Sequence, residues 1–534
     1  MNDPILYWNA VALEANRVSH TNGKMEQTGP TLSSRALAIV HLAMHDAFMG
    51  TTGGTQYLPD LPPGPSGASE AAVAGAAHAA LAALFPSQQE FFDVRLSDAG
   101  GAINPGHDYG VCVARRILAD RACDPGAGDA GYVPSYARYR HRVDPDNPKQ
   151  GFHAPFYGAR SKGFAITRRW ELCSPATLSP DEYIAAVRDV RAKGIAPELT
   201  GTLPLGFDPR TPDEYLAGIY WGYDGSLGLG TPPRLYNQII RLVSMKKNST
   251  PAENALLFAL VNVAMADAGI LAWDQKYIHD FWRPVIGIRE HDPSMGLADA
   301  AQDEISVVTD PGWLPLGAPA TNSMNQAFAQ PVAQAFPYNQ AIVGRFKNFT
   351  PPFPAYPSGH ATFGAAAFQI TRRFYNVPRD QPSDDLFDGL AFVSDEFNGV
   401  NQDNRGTIRP RHLRSFENGL WDMIIENGRS RVWLGVHWVF DAFAVDENGD
   451  PDLSRNVGGV PLGLRIANDI FDHGMVPSPV GPRDTPPCCC GPVKEHEHDH
   501  DTKEKKEKKD KSDKKHVRPC PPPVQPAGEE CPED

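Results

Sequence analysis

The chain has 534 residues, of which 41% are hydrophobic and 21% are charged, a composition typical of a soluble globular protein large enough for more than one core. Its formal net charge of −14 argues against nucleic acid as the main partner, because binding a phosphate backbone requires a basic surface. No stretch approaches the ~18 consecutive apolar residues that a membrane span needs, so no membrane span is expected.

The N-terminal half, residues 1–205, is predicted to form a helical bundle. Residues 31–34 (Thr-Leu-Ser-Ser) can cap a helix over residues 35–49, where apolar side chains recur at helical spacing. The alanine-rich run 68–85 predicts a second helix. Residues 138–175 are rich in aromatic residues, glycine and proline without a clear period, and are predicted to be a long covering segment.

The second half, residues 206–477, is predicted to form another helical bundle. Its predicted helices cover residues 253–272, 273–283, 360–374 and 416–434. Strand-like alternation is scarce along the whole sequence. The predicted fold class is therefore all-α, with two helical bundles packed together.

The two ends of the chain carry weaker signals. The first four residues, Met-Asn-Asp-Pro, lack the basic region of a cleavable signal peptide, and the localisation is left open. The eight cysteines are not spaced like a secreted disulfide framework, so the body is expected to fold without disulfides. Residues 478–534 are rich in proline and charge and are predicted to be a disordered tail, because they cannot bury enough apolar surface to offset ordering.

Two histidine patterns are interpreted as incidental. His41 and His45 are four residues apart, as helix-borne metal ligands would be, but no third ligand is evident and core histidines are expected. In the tail, the cysteines at 488–490 lie close to His496, His498 and His500. Adventitious metal binding by a flexible segment is favoured over a dedicated site.

Lys276 and Arg283 are the first candidate binding residues. They are seven residues apart, about two helical turns, so a single helix would place both cations on one face. Pro284 disfavours helical geometry at Arg283, and the helix is expected to end there. Taken alone, two cations on a helix more often form a solvated face than a site.

The segment Pro357-Ser358-Gly359-His360 opens a predicted helix. Ser358 suits an N-cap, and the free N–H groups of a helix start form an oxyanion site. Gly359 lets an anion approach its N–H without a side-chain clash, and His360 is a candidate acid–base group at the rim. The alternative is a simple Ser-Gly cap followed by an incidental histidine.

The third candidate segment contains Arg431, Gly435 and His437. Arg431 and His437 are six residues apart and would not share a face of an unbroken helix. Gly435 is therefore expected to break the helix, with His437 approaching from the second piece. A lone histidine in an apolar stretch is more often a packed core residue than a ligand.

The three segments together are more specific than any one of them. Three cations, a Ser-Gly amide and two histidines could close around one tetrahedral oxyanion of charge about −2 or −3 in the C-terminal bundle. Without that anion the buried like charges would repel one another, which favours a bound oxyanion over a structural role.

These segments resemble the vanadium haloperoxidases, within the wider type-2 phosphatidic acid phosphatase superfamily. The family pattern is Lys, six residues and Arg-Pro, then Pro-Ser-Gly-His, then Ser-Arg with Gly-Val-His-Trp and Asp. Residues 276–284, 357–360 and 430–441 match it without insertion. The flanks are similar to the fungal chloroperoxidase branch, at residues 220–226, 232–240, 316–322, 351–356 and 457–462.

The resemblance implies vanadate as the cofactor. His437 would be the single protein ligand of vanadium. Three cations, a hydroxyl and a backbone amide would hold the vanadate oxygens, and they come from Lys276, Arg283, Arg431, Ser358 and Gly359.

The same resemblance implies the catalytic and halide-binding groups. His360 would be the acid–base residue, and Lys276 would also take part in catalysis by polarising bound peroxide. Asp224 would pair with Arg431 and orient it. Trp273 and Phe353 would line the halide side of the pocket, where Phe353 favours chloride.

The implied function is a haloperoxidase that oxidises chloride or bromide with hydrogen peroxide to hypohalous acid, which then halogenates an organic acceptor. Vanadate would act as a Lewis acid without redox cycling. The alternative is an acid phosphatase that uses the same pocket with a phosphohistidine intermediate at His437, because vanadate on one histidine mimics phosphoryl transfer. A third hypothesis is a non-enzymatic oxyanion or metal carrier that acts through the tail.

Overall fold

The computed structural model describes residues 3–100, 103–225, 229–290, 310–319, 348–403 and 407–483. Within these ranges the regular structure is helical, apart from a two-stranded antiparallel ribbon of β1 (Ala444–Val445) and β2 (Pro451–Asp452). The predicted all-α class is confirmed. The tail cysteines and histidines and Ser226 lie outside the described residues.

The helices of the first part follow the predicted pattern. They are α1 (Pro4–Ser19), α2 (Gly29–Thr52), α3 (Ser69–Leu84), α4 (Gln89–Asp98), α5 (Pro105–Asp120), α6 (Tyr157–Arg160) and α7 (Pro180–Lys193), with 3₁₀ turns at Pro86–Gln88, Pro175–Thr177 and Pro197–Thr202. The predicted helices 35–49 and 68–85 correspond to α2 and α3. The predicted covering segment 138–175 is irregular apart from α6 and the first residue of a 3₁₀ turn.

The helices of the second part surround the longest one. They are α8 (Pro212–Tyr220), α9 (Pro232–Lys246), α10 (Pro251–His279), α11 (Pro284–Glu290), α12 (Gly359–Phe374), α13 (Leu420–Trp433), α14 (Val439–Ala442) and α15 (Gly459–His473), with a 3₁₀ turn at Asp395–Phe397. α10 packs against α2 on one side and against α12 on another.

Local sequence fixes where α7, α8 and α10 begin. Each has a Ser or Thr cap, proline at the first helical position and glutamate at the third. The cap hydroxyl accepts the glutamate N–H, and the glutamate carboxylate accepts the cap N–H, so two otherwise orphaned donors are satisfied. At α10, for example, Thr250 N–H donates to Glu253 Oε2 at 2.7 Å.

One apolar core runs through both halves of the chain. Trp8 of α1 and Ile466 of α15 belong to the same buried cluster, and both are about as inaccessible as the middle of α10. The predicted division into residues 1–205 and 206–477 therefore stays a prediction, since the described core does not separate at that boundary.

The composition of α10 corrects one expectation. By length and hydropathy this helix could cross a membrane, so the statement that no stretch approaches that limit is wrong. Its most apolar window is 94% buried inside the protein. A helix that is apolar on all sides is typical of the centre of a large core, and α10 occupies that position.

The connection after α10 corrects a second expectation. The predicted helix 273–283 is not separate: α10 runs through Trp273 and ends at His279, with Asp280 in the left-handed conformation at φ 50°. Pro284 then starts α11, so Arg283 lies between two helices. The same-face argument for Lys276 and Arg283 is wrong, because Asp280 turns the chain before Arg283 is reached.

One expectation about the C-terminal end is also corrected, whereas the expectation that the body folds without disulfides stays a prediction. Residues 478–483, the first of the predicted tail, have no regular secondary structure but are attached to the body. Ser478 N–H donates to Phe164 O at 2.9 Å, and Arg483 Nε donates to Asp274 Oδ2 at 2.7 Å, which fixes residues 478–483 against the body.

Candidate active site

A cavity of about 390 Å³ lies at the start of α12. Seven of the ten sequence-predicted site residues line it, namely Asp224, Trp273, Phe353, Gly359, His360, Arg431 and His437. Arg283 reaches it through contacts with His437 and Phe353. Lys276 and Ser358 are fully buried beside the cavity wall. The three sequence segments therefore converge, as predicted.

The backbone around His437 places its imidazole at the base of the cavity. α13 ends at Trp433, and Gly435 takes a positive φ of 73°, so the helix is interrupted as predicted. A Cβ on Gly435 would lie 2.5 Å from Gly194 O, which excludes any side chain there. His437 follows in the turn before α14.

Asp441 orients His437. His437 Nδ1 donates to Asp441 Oδ2 at 2.7 Å, and Trp438 N–H donates to the same oxygen at 3.0 Å. The neutral ring therefore carries its proton on Nδ1, and Nε2 is the acceptor nitrogen. A carboxylate behind a histidine is the usual arrangement for a histidine that binds a metal through its other nitrogen.

Arg283 contacts the other ring nitrogen, Nε2, of this imidazole. Arg283 Nη1 donates to His437 Nε2 at 2.9 Å and to Val436 O at 2.7 Å, and Nε donates to Phe353 O at 2.8 Å. Its second terminal nitrogen, Nη2, is buried and has no hydrogen-bond partner within the described ranges.

Arg431 is held from one side only. It lies in the last turn of α13 and is fully buried. Its Nη2 donates to Asp224 Oδ1 at 2.6 Å, as the family resemblance implied. Its Nε and Nη1 are buried and have no partner in the part of the chain that the structure describes.

Lys276 holds the loop that precedes α12. Its ammonium donates to the carbonyl oxygens of Pro354 at 2.8 Å and Ala355 at 3.0 Å, and also to that of Pro357. All three hydrogens of the ammonium are therefore used by the backbone. Lys276 can therefore donate to an anion in the cavity only if its hydrogen bond to one of these carbonyl oxygens breaks.

The start of α12 is built as predicted. Ser358 Oγ accepts Ala361 N–H as the N-cap, and Ser358 N–H donates to Asp441 O at 2.7 Å, which ties the helix start to His437. A Cβ on Gly359 would lie 3.3 Å from the Trp273 ring, so glycine allows this close approach. His360 Nε2 donates to Gly222 O at 2.7 Å and lies 3.8 Å from Asp224 Oδ1.

Aromatic side chains form one wall of the cavity. The rings of Trp273 and Phe353 have centroids 4.8 Å apart, and His153 packs edge-on against Trp273 at 5.9 Å. Trp273 Nε1 donates to His153 O at 3.2 Å. The wall is apolar next to cations, since Lys276 Nζ and the Arg283 guanidinium carbon lie 5.1 and 4.9 Å from the centre of the Phe353 ring.

Burial sets the protonation of the two cavity histidines. The pKa of His437 is far below its ordinary value because of burial and then because of Arg283 and Lys276. The pKa of His360 is also well below its ordinary value, through burial and then through Arg431. Both imidazoles are therefore neutral, the form that binds a metal or accepts a proton.

Burial also shifts the charged groups. It raises the pKa of Asp441 to about 7 against the opposing effect of Lys276 and Arg283. It lowers the pKa of Arg283 to about 9 and, together with Arg283, lowers the pKa of Lys276 far below its ordinary value. Positive charge is thus unfavourable in this site as it stands, and a bound anion would raise the pKa values of Arg283 and Lys276 again.

The unpartnered groups match an oxyanion. Three buried N–H-bearing atoms, Arg283 Nη2 and Arg431 Nε and Nη1, have no acceptor in the described residues. Unpaired buried guanidinium groups cost free energy, whereas charge-assisted bonds to an anion would satisfy them. His437 Nε2 lies beside them and accepts from Arg283 Nη1, so these residues fit a tetrahedral oxyanion bound to one imidazole once Arg283 turns that donor to the anion.

Sequence reasoning missed two contributors. Asp441 entered only as part of the family pattern, and its position four residues after His437 was the available signal. His153 comes from the covering segment 138–175, where no periodicity singles it out. Its contact with Trp273 depends on tertiary packing, so no local pattern could reveal it.

The predicted histidine pair on α2 is structural. His41 Nδ1 donates to Leu37 O at 2.7 Å, and His41 Nε2 accepts from Asn9 Nδ2 at 2.9 Å. His45 Nδ1 donates to Asp46 Oδ1 at 2.8 Å. No group of three potential metal ligands occurs among the described residues.

Comparisons with known proteins cover most of the chain. Residues 1–163 match the family described as the vanadium chloroperoxidase N-terminal domain, and residues 256–451 match the VCPO second helical-bundle domain. The vanadium chloroperoxidase of Curvularia inaequalis is 36% identical over 604 aligned residues, which cover 89% of this chain and 90% of that protein.

Solved structures show the same fold at lower identity. The first bacterial vanadium-dependent iodoperoxidase has a TM-score of 0.54 at 17% identity, with 88% of this chain and 97% of that chain covered. An apo-type bacterial vanadium-dependent chloroperoxidase also has a TM-score of 0.54, at 15% identity, with 85% and 96% covered.

Proposed function

Because this chain belongs to the vanadium haloperoxidase family, we propose that the cavity around His437 is its vanadate site. The protein is a vanadate-dependent haloperoxidase whose substrates are hydrogen peroxide and halide. The observation that carries the site assignment is the set of buried nitrogens of Arg283 and Arg431 that have no partner among the described residues. They lie beside His437 Nε2, which accepts a hydrogen bond from Arg283 Nη1 that a bound vanadium would replace.

His437 is assigned as the protein ligand of vanadium. Asp441 keeps the imidazole proton on Nδ1, so Nε2 is the coordinating atom. Bound vanadate supplies a Lewis acid that activates hydrogen peroxide toward halide without a change of oxidation state.

The remaining contacts neutralise and orient the cofactor. Arg283 and Arg431 offer the unpartnered donors, and Asp224 fixes the guanidinium of Arg431. The Gly359 amide and the Ser358 hydroxyl are further donors at the start of α12. Lys276 supports the site through the loop 354–357 and reaches the oxyanion only if it releases one carbonyl.

His360 is assigned the proton transfer. Its Nε2 proton is engaged with Gly222 O, which leaves Nδ1 of the neutral ring as the proton acceptor for peroxide. Burial and Arg431 keep the ring neutral, and an anion opposite Arg431 would raise the pKa of His360 toward a useful range. The same group then returns a proton to the product.

Trp273 and Phe353 are assigned to the halide side. Their packed rings exclude water from one wall of the cavity, next to cations that attract an anion. We propose chloride among the halides used, supported by the apolar wall and by the 36% identical relative named as a chloroperoxidase. An organic acceptor then takes the halogen from hypohalous acid.

The phosphatase alternative is not better supported. The named relatives are haloperoxidases, and no contact in the cavity favours a phosphate ester over vanadate. Hydrolysis of a phosphate monoester should be measured in parallel with halide oxidation.

The proposed site is tested with metal-free protein. Orthovanadate is expected to restore peroxide-dependent oxidation of chloride, bromide and iodide, and His437→Ala is expected to abolish it while the helical circular dichroism is kept. His41→Gln, which changes a buried histidine outside the cavity, is the matched control and should retain activity. Restoration by iron or zinc, but not by vanadate, would contradict the assignment.

The halide assignment has its own test. Phe353→His places a hydrogen-bonding ring where the wall is now apolar, and the ratio of chloride to bromide oxidation is expected to fall. An unchanged ratio would remove Phe353 from the specificity argument while leaving the vanadate site intact.

A further inference from the structure

Met25 lies on the wall of the same cavity as His360, Arg431 and His437. It belongs to the loop between α1 and α2 and is 68% exposed, so its thioether stands between the cavity and solvent. It is therefore accessible both to a molecule that leaves the cavity and to solvent reagents.

The loop that carries Met25 is fixed on both sides of it. The carboxylate of Glu26 accepts Ser87 N–H at 2.8 Å and Ser87 Oγ–H at 2.6 Å. Asn22 Nδ2 donates to Ser87 Oγ at 3.2 Å. These bonds hold the loop to the 3₁₀ turn after α3, so Met25 keeps its place at the cavity.

A thioether is a soft nucleophile that reacts with hypohalous acid. The sulfur attacks the electrophilic halogen and hydroxide leaves, and water then adds to sulfur as halide and two protons depart. One proton neutralises the hydroxide, so thioether and hypohalous acid give sulfoxide, halide and one proton. Sulfur is oxidised by two electrons, the halogen is reduced to halide, and the halide becomes available again.

We propose that hypohalous acid leaves the cavity past Met25, and that Met25 is the first side chain of the protein that its own product oxidises. The proposal rests on the proposed function, which supplies the oxidant. It adds an exit route and a modification site, methionine sulfoxide at residue 25.

Among the residues that the structure describes, the other methionines and the cavity tryptophan are less accessible or lie away from the cavity. Met44, Met265 and Met423 are at most 1% exposed. Trp273 lines the cavity but is itself 1% exposed, with its ring packed against Phe353. Met245 at the end of α9 is 50% exposed and does not line this cavity, so it is the matched control.

The test compares two ways of delivering the oxidant. Vanadate-loaded, full-length protein is given hydrogen peroxide and bromide with excess free methionine, which removes hypobromous acid once it is in bulk solvent. A second sample receives reagent hypobromous acid without peroxide. Peptide mass spectrometry then measures sulfoxide at Met25 and Met245 in both.

The ratio of Met25 to Met245 oxidation is expected to be about tenfold higher under turnover than with the reagent, because product formed inside the cavity meets Met25 at high local concentration. Met25→Leu should remove the mass shift at residue 25 and retain halide oxidation. Equal ratios in the two samples would overturn the proposal.

Two controls separate the causes. Equal oxidation of Met25 by peroxide without bromide would also overturn the proposal, since the oxidant would not be the product. Oxidation of the free methionine reports turnover independently in the same tube. If bromide did not accelerate it, the proposed function itself would fail, and the exit route with it.

Discussion

Two fully buried arginines lie near opposite ends of α12. Arg372, in the last turn, donates through Nε to Asp384 Oδ2 at 2.9 Å, through Nη1 to Gln369 Oε1 at 2.6 Å and through Nη2 to Gln381 O. Arg431, beside the first turn, has one carboxylate partner and two unpartnered nitrogens. Both side chains are 0–1% exposed, so burial does not distinguish them.

The difference between these two regions identifies the binding site. A buried charge that serves the fold is surrounded by acceptors, because each missing bond costs about 1–3 kcal/mol. A buried charge that serves a ligand leaves donors free for it. Arg372 follows the first pattern, and Arg431 follows the second.

The largest expected effect is on vanadate affinity. Arg431→Ala removes two donors assigned to the anion, and we expect the dissociation constant for orthovanadate to rise about 100-fold, from charge-assisted bonds of about 1.5–3 kcal/mol each. Isothermal titration calorimetry of the metal-free protein measures it. Arg372→Ala is the control, and a similar loss of affinity in that variant would erase the distinction between the two ends of α12.

The next effect concerns the residue behind the ligand. Asp441→Asn keeps the shape and one acceptor oxygen but removes the carboxylate charge that strengthens the bond from His437 Nδ1–H, and we expect vanadate affinity to fall about 10- to 100-fold. A pH series of the titration checks the cause. Affinity equal to that of the unaltered protein would mean that the tautomer is set by other contacts.

For the free energy of unfolding, we expect Arg372→Ala to have a larger effect than Arg431→Ala, the reverse of their order for vanadate affinity. Arg372→Ala leaves the Asp384 carboxylate buried and unpaired, and we expect the free energy of unfolding to fall by about 3–5 kcal/mol. In vanadate-free protein, Arg431→Ala should cost less, because it also removes two buried nitrogens that have no acceptor among the described residues and that burden the folded state. Urea unfolding of both variants at the same pH decides between them, and a larger loss for Arg431→Ala would break the comparison.

The smallest effect is a pH dependence outside the cavity. Burial lowers the pKa of His41 in the folded protein to about 4, whereas the unfolded chain titrates near pH 6.5. The unfolded state therefore takes up the proton first on acidification, and the free energy of unfolding falls between about pH 6.5 and pH 4. His41→Gln removes this titration. When the pH is lowered from 7 to 5, the unaltered chain should lose about 2 kcal/mol more of its free energy of unfolding than the variant does. Guanidinium unfolding at both pH values measures this difference.

Much of the fold was predictable because its signals are local. The helices over 35–49, 68–85 and 360–374 follow from apolar spacing and caps, and α2, α3 and α12 occupy those places. The connection after α10 was not predicted. Pro284 was taken as the end of one helix, whereas it begins α11, and the left-handed turn at Asp280 has no strong sequence signal.

The site was predictable as a set of residues and not as a geometry. The spacing in three segments, with the family resemblance, gave Arg283, His360 and His437 as neighbours, and the cavity brings them together. The three carbonyls around Lys276 and the packing of His153 on Trp273 depend on chain segments far apart in sequence. Such contacts are fixed by tertiary packing, which local patterns do not encode.

The most direct test of the account is a crystal structure of the protein soaked with orthovanadate. The account predicts one tetrahedral or five-coordinate vanadium bonded to His437 Nε2, with Arg283 Nη2 and Arg431 Nε and Nη1 within about 3.2 Å of its oxygens. Vanadium bound elsewhere, or a cavity in which those nitrogens stay unpartnered at saturating orthovanadate, would contradict it.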